Sequence, residues 1–247
     1  MKLAVIPARG GSKRIPRKNI KLFNGKPMIA WSIEAALYSK MFDQVLVSTD
    51  DAEIAEVAAQ YGAAVPFIRP ATLADDLTGT SAVVRHAIDW VTQQQWHAEQ
   101  GPLDIVACIY ATAPLLSAAL LQQAMALWAQ QPALDYIFSG CRFSFPIQRA
   151  LYRDANGAVA PVQPDAIGKR SQDLTETFHD AGQFYLGRAQ SWSEARPVFS
   201  KSSYLFELPQ HLVQDIDTLD DWRRAELLHQ LILNQVAPPS AKPPKAD

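Results

Sequence analysis

Residues 2–19, KLAVIPARGGSKRIPRKN, join a short apolar run to a strongly basic loop. The run KLAVIPA has strand length and no polar alternation. That predicts a strand buried on both faces, hence a sheet with helices above and below it. The glycine pair Gly10 and Gly11 lets the backbone approach a ligand closely, and Pro16 prevents a helix, so residues 8–19 should form an extended loop. The first 26 residues carry eight lysines and arginines and no aspartate or glutamate. An anion is expected at the carboxyl end of the first strand.

The pattern beyond the loop supports this layering. KPMIAWSIEAALYSK (26–40) has helical spacing with Pro27 near its start, and QVLVSTD (44–50) is a second strand. DDAEIAEVAAQYGA (50–63) is a helix ending at Gly62, and AVPFIRP (64–70) a further strand. GTSAVVRHAIDWVTQQQW (79–96), LDIVACIYA (103–111) and LSAALLQQAMALWAQQ (116–131) continue as helix, strand and helix, the last capped by Ser117. Such alternation predicts an α/β fold: a Rossmann-like, mainly parallel sheet with helices on both faces, binding its ligand at the carboxyl ends of the strands. From about residue 138 to 180 the pattern breaks into short strand-like pieces, with DANGA (154–158) as a hairpin turn. This stretch reads as an excursion bearing a dimer contact or one wall of the site. A strand around residues 183–186, a late strand over LFELPQHLVQDID (205–217) and a helix capped by Thr218 follow. The length predicts one domain over 1–236, and the Pro-rich end, 237–247, a disordered tail.

Composition restricts the function. With 23 basic and 25 acidic residues the net charge is −2, so the basic loop is a local feature and not the broad excess of a nucleic-acid binder. Aromatic residues do not interleave with its charges, as a stacking platform would require. Cys108 and Cys141 lie in apolar surroundings without a CxxC pattern and read as buried thiols. No run approaches a membrane span or a secretory signal, so a cytoplasmic chain is expected.

Two features carry chemistry. The loop lacks both GxxxxGK[ST] and GxGxxG, so it would hold phosphates through the charged side chains of Arg9, Lys13 and Lys18 more than through an amide cradle at Gly10 and Gly11. VQDIDT (213–218) places Asp215 and Asp217 two apart. On a strand both carboxylates would share a face, about 7 Å between Cα atoms, which suits Mg²⁺ completed by water and phosphate. The plain alternative is a helix start, with Asp217 or Thr218 as the cap. Asp50 and Asp51 read as helix caps, Asp50 with a place at the pocket wall. Arg69, Thr80 and Ser81 flank Asp75 and Asp76, where a base or ribose could be fixed. Of five histidines, only His179 stands in a polar, site-like context.

IPARGGSKRIPRKN (6–19), KPMIAWSIEAAL (26–37), VLVSTDDAEIAEVAAQYGA (45–63), FIRPATLADDLTGT (67–80), YATAPLL (110–116), GKRSQDLTETFHDAGQFY (168–185) and VQDIDTLDDW (213–222) occur in that order. Together they resemble the CMP-acylneuraminate synthetase family, cytidylyltransferases that activate nonulosonic acids. The resemblance implies a nucleotide-diphospho-sugar transferase fold, a homodimer linked through the excursion, and an enzyme joining CTP to the sugar's anomeric hydroxyl with release of pyrophosphate. It implies that Arg9, Ser12 and Lys18 contact the CTP phosphates, that Asn19 lies near the ribose or phosphates, and that Arg69 and Thr80 meet the cytidine. Asp215 and Asp217 would hold Mg²⁺, with Lys18, Arg9 and Asp217 taking the catalytic roles. Tyr110, Arg170, Gln172, His179 and Gln183 are the candidates for the sugar.

Departures from the sialic acid pattern point to the substrate. SKRIP stands for SKGIP, YATAP for QPTSP and HDAG for RPNG, all of which resemble the pseudaminic acid branch. A tyrosine in place of glutamine at 110 suits a deoxygenated, di-N-acylated sugar. N-acetylneuraminic and legionaminic acids are the alternatives within the reaction. Outside it stand a metal-dependent glycosyltransferase, which the triphosphate-sized basic loop disfavours, and a non-catalytic anion-binding module, which needs no carboxylate pair.

Overall fold

Strand β1 (Lys2–Pro7) runs through the interior of a six-stranded sheet. It pairs in parallel with β4 (Gln44–Ser48) on one side and β5 (Ile105–Ile109) on the other. Its side chains divide between two cores: Ala4 and Ile6 pack on one face, Leu3 and Val5 on the other, all fully buried. That two-sided burial is why the run shows no alternation. The structure is a computed structural model that describes residues 1–75, 77–96 and 99–236; the expected tail at 237–247 lies outside them.

Between β1 and β4 come a short hairpin, β2 (Leu22–Phe23) and β3 (Lys26–Pro27), and helix α1 (Met28–Ser39). Helix α2 (Ala52–Gln60) follows β4, and its N-cap is Asp51, whose carboxylate accepts from the Ile54 amide. Helix α3 (Thr80–Gln93) precedes β5, and α4 (Ala118–Gln130), capped by Ser117, follows it. The second half supplies β6 (Tyr136–Arg142), the hairpin β7 (Leu151–Arg153) and β8 (Val159–Pro161), β9 (Phe178–Arg188), α5 (Ala189–Ser193), β10 (Ser203–Glu207) and α6 (Leu219–Val236). Sheet order is β10-β6-β9-β5-β1-β4. Strand β9 is antiparallel to both neighbours, β5 and β6, whereas the other pairs are parallel. The mainly parallel α/β expectation therefore holds, with one reversed strand. The turn at 154–158 joins β7 to β8, with Gly157 at φ +89°. Cys108 and Cys141 are buried free thiols.

Two expected strands differ. Residues 64–70 make only two bridges to the edge of the sheet, Leu46 with Ala64 and Thr49 with Ile68. Pro66 lies between them without an amide hydrogen to continue a ladder. The late strand stops at Glu207; Pro209 begins a single 3-10 turn at Gln210–Leu212, and Asp215 and Asp217 lie in unpaired chain beyond it. The alternation survives without the ladder, since Ile216 is buried between an exposed Asp215 and a half-buried Asp217.

Helix α6 docks through a third, small core of Ile15, Phe23, Met28, Ile216, Trp222 and Ala225. Thr218 and Asp221 cap it reciprocally: the Asp221 amide donates to Thr218 Oγ1, and the Thr218 amide to Asp221 Oδ2. His229 closes this core, its ring 4.2 Å from that of Trp31 and 5.4 Å from that of Phe23. Asn24 Oδ1 accepts from Gln230, so its Nδ2 faces the imidazole and donates to Nδ1 at 3.1 Å. Burial, assisted by Lys26, holds His229 below its ordinary 6.5. A depressed histidine favours the neutral form on folding, so its contribution is complete above pH 6.5 and is lost as pH falls below that value. Urea unfolding from pH 7 to 5.5 should show falling stability, with a shallower fall in His229→Gln. Equal slopes in the two proteins would count against this assignment.

Candidate active site

The carboxyl ends of β1 and β5 open into a cavity of about 530 Å³. Its lining takes Arg9, Ser12, Lys13, Arg14, Lys18 and Asn19 from the basic loop, Arg69 and Thr80 from the segment leading into α3, and Tyr110 and Thr112 from the end of β5. A second cavity of about 320 Å³ shares Tyr110 and Thr112 and adds His179, Asp180, Gln183 and Asp215. The fold thus brings the basic loop, the cytidine candidates, three of the sugar candidates (Tyr110, His179 and Gln183) and Asp215 of the acidic segment into two adjoining spaces.

The loop is held by its own charges. Asn19 is buried and donates through Nδ2 to Arg9 O at 2.9 Å. Arg17 sits at φ 55° and clamps Asp51 through both terminal nitrogens, with Glu53 as a further partner. This clamp, more than the Ile54 amide, holds the Asp51 carboxyl below its usual range. The Gly10 amide, expected to face an anion, donates instead to Asp50 Oδ1 at 3.0 Å. A Cβ at Gly10 would lie 2.6 Å from Asp51 Oδ2, so the missing side chain serves close packing against the start of α2. Neither Gly10 nor Gly11 lines the cavity.

Lys18 reaches the opposite wall, where Nζ donates to Ile216 O at 2.6 Å and lies 3.8 Å from Asp217 Oδ1. Burial lowers its pKa, opposed by the charges of Asp217 and Asp215. Arg14 Nη1 pairs with Asp217 Oδ2 at 2.6 Å. Arg69 is 4% exposed, lies 3.4 Å from Asp50 Oδ1 and has a buried Nε with no hydrogen-bond partner among the described residues. Arg9 donates to Asp75 O, and the Asp75 carboxylate turns its own loop by accepting from Leu77 and Thr78. Asp76 lies outside the described residues.

Tyr110 stands between the cavities, its hydroxyl 3.4 Å from Thr80 Oγ1, and burial raises its pKa. Its ring lies 5.6 Å from that of Tyr185, whose hydroxyl donates to Asp180. Gln183 Nε2 donates to Leu212 O, which leaves Oε1 buried without a partner among the described residues. His179 lines the second cavity, with Nδ1 2.9 Å from Asp180 O. Gln172, on the 3-10 turn Ser171–Asp173, and Arg170, just before it, are exposed and line neither cavity; Arg170 is paired with Asp173. Arg17, Asp180 and Tyr185 are the contributors that residue patterns did not single out. Only Asp180 carried a signal, its place beside His179.

The two carboxylates fit Mg²⁺ as far as their chemistry goes. They flank one buried residue, both act on the Lys18 ammonium, and oxygen is the donor this ion prefers. Among the described residues no group of three or more His, Cys, Asp or Glu gathers around them. Water and substrate phosphate would complete the shell.

A family model described as cytidylyltransferase matches residues 3–207, which leaves the acidic pair beyond its end. The chain is 46% identical over 229 residues to the pseudaminic acid cytidylyltransferase of Campylobacter jejuni, covering 93% of this chain and 96% of that protein. It is 33% identical to the CMP-N,N'-diacetyllegionaminic acid synthase of Legionella pneumophila, with the same two coverages. A solved CMP:2-keto-3-deoxy-manno-octonic acid synthetase in complex with CTP superposes with a TM-score of 0.64 at 18% identity, over 95% of this chain and 99% of that one. That likeness concerns the fold alone.

The close packing at Gly10 gives a direct test. Gly10→Ala should cost about 1–3 kcal/mol of stability and weaken CTP binding as the loop shifts from Asp50 and Asp51. Denaturant unfolding and calorimetry check both, and an unchanged protein would mean that the loop is not held there.

Proposed function

We propose that this chain, which belongs to the cytidylyltransferase family, transfers CMP from CTP to a nonulosonic acid, and that pseudaminic acid is its substrate. The observation that carries the reading is the convergence of Arg9, Lys13, Arg14 and Lys18 at one cavity, where Arg14 and Lys18 also face Asp217, beside a second, smaller cavity. The choice of sugar rests on the 46% identity to the Campylobacter enzyme against 33% to the legionaminic acid synthase, and on Tyr110 at the junction.

In this reading the larger cavity takes the nucleotide, with Arg69 and Thr80 toward the cytidine and Ser12, Lys13, Lys18 and Arg9 toward the phosphates. The smaller cavity takes the sugar, with Tyr110, His179 and Gln183 as its walls. The sugar's C2 hydroxyl attacks the α-phosphorus in line; its O–H proton is lost, the new P–O bond forms, and the bond to pyrophosphate breaks. Lys18 and Arg9 offset the charge that gathers on the departing pyrophosphate. Mg²⁺ held by Asp215 and Asp217 would supply Lewis-acid polarisation and charge neutralisation at the phosphates.

The chain works as a homodimer. Residues 143–177 leave the sheet and expose Phe145, Leu151, Tyr152, Val159, Val162 and Ile167, an apolar surface suited to a second copy. Arg170 and Gln172 project from this excursion and would meet sugar only across such an interface. We place the chain in the cytoplasm, which accords with two free thiols.

Pyrophosphate release measured with CTP and a panel of nonulosonic acids should be fastest with pseudaminic acid. Preference for N-acetylneuraminic or legionaminic acid would overturn the substrate. Asp217→Asn should lower turnover about a hundredfold or more, as expected for loss of a charge-stabilising group; near-normal turnover would remove Asp217 from the mechanism. Light scattering after size exclusion should give twice the chain mass, and Val159→Asp should shift it toward the single chain. A monomeric wild-type protein would refute the dimer.

A further inference from the structure

Arg14 is the cation whose placement the reaction scheme does not use. It lies in the wall of the larger cavity, and its guanidinium is 2.6 Å from Asp217 Oδ2. The neighbouring Ile15 is 1% exposed and fixes the backbone, whereas the Arg14 side chain is 68% exposed. A long, flexible stem on a fixed base can swing without moving the loop. Lys18, the other cation near Asp217, is farther away at 3.8 Å and is committed to Ile216 O. Arg14 is thus the direct counter-ion of the carboxylate that a divalent cation would need. The guanidinium end of the pair is exposed and the carboxylate half-buried, so water competes for the arginine and the pair is readily broken. Once released, the guanidinium remains at a cavity shared with Arg9, Ser12 and Lys13, and its planar fork matches phosphate oxygens.

We propose that Arg14 is a displaceable counter-ion: it neutralises Asp217 in the empty site, yields that carboxylate to the metal, and then binds the outer phosphates of CTP. This rests on the reading of the larger cavity as a Mg²⁺–CTP site. Arg14 would make metal and nucleotide binding mutually supportive, since each removes a competitor from the other.

Calorimetric titration of CTP into the full chain, without sugar, separates this role from general attraction. Arg14→Ala should lose about tenfold in CTP affinity in Mg²⁺ and less than about twofold in EDTA, where Arg14 stays on Asp217. Arg14→Lys should recover part of the loss. In the nucleotide-free protein, Arg14→Ala should bind Mn²⁺, followed by electron paramagnetic resonance, about two- to fivefold more tightly than wild type. Equal losses of CTP affinity with and without metal would overturn the proposal, as would unchanged or weaker Mn²⁺ binding. Thermal unfolding confirms that the variants fold. A wild-type protein that fails to bind CTP in Mg²⁺ would overturn the nucleotide reading itself and this inference with it.

Discussion

Burial of Ile15 and Ile216 in one apolar cluster is the constraint on which the site depends. Ile15 is the apolar residue between Arg14 and Pro16 in the basic loop, and Ile216 separates the two aspartates. Both are almost fully buried, together with Phe23, Met28, Trp222 and Ala225. Fully burying such a side chain contributes about 1.5–3 kcal/mol, whereas an exposed ion pair contributes about 0–1 kcal/mol. The apolar contact therefore fixes where the two segments meet. The pairs of Arg14 and Lys18 with Asp217 then set how the charges point. Without the cluster, the like charges of the loop would favour its moving away from the sheet, and the acidic segment would have no fixed opposite number.

The opposite side of the loop follows a different logic. Asp50 and Asp51 lie between β4 and α2 and supply the negative charge that the first 26 residues lack. Asp51 caps α2 and receives Arg17; Asp50 receives the Gly10 amide and lies against Arg69. The cations thus divide. Arg17 is structural, as is Lys26, which pairs with Glu34 away from the cavity, while Arg9, Lys13, Arg14 and Lys18 line it. The local density of positive charge is tolerated because part of it is neutralised within the scaffold and part is left for an anionic ligand.

This division explains what was legible from residues alone. Continuous apolar runs announced β1, β4 and β5, because two-sided burial removes polar positions from a strand. Caps at Asp51, Ser117 and Thr218 were legible because capping is a local interaction. The reversal of β9 was not, since strand direction is decided by long-range pairing with β5 and β6. Nor could composition tell Arg17 from Arg14, three residues apart in one loop, because their roles depend on which aspartate folding brings near. The acidic pair was read onto a strand from its alternation; the alternation is real, but Ile216 turns inward against α6 and not against a sheet neighbour. Arg170 and Gln172 were grouped with the sugar candidates by sequence likeness, yet the excursion carries them away from both cavities within one chain.

The two cavities share Tyr110 and Thr112, so nucleotide and sugar, in the proposed reading, meet across one aromatic wall. Each side also holds a buried polar atom that no described group satisfies: Arg69 Nε in the nucleotide cavity and Gln183 Oε1 by the sugar cavity. Both atoms are shielded from solvent; leaving one unpaired costs about 1–3 kcal/mol, so a ligand gains there only if its binding uncovers the atom. Gln183 is held by its bond to Leu212 O, and its Oε1, once uncovered, would offer an acceptor that matches an amide N–H of an acylated sugar better than a bare acceptor oxygen. Selectivity would then come from the conjunction of an apolar ring and a fixed acceptor. A sugar that lacks the donor leaves Gln183 unsatisfied, and one with an extra hydroxyl must desolvate it against Tyr110. In the proposed reading, Tyr110 and Gln183 together would therefore set which sugar is bound.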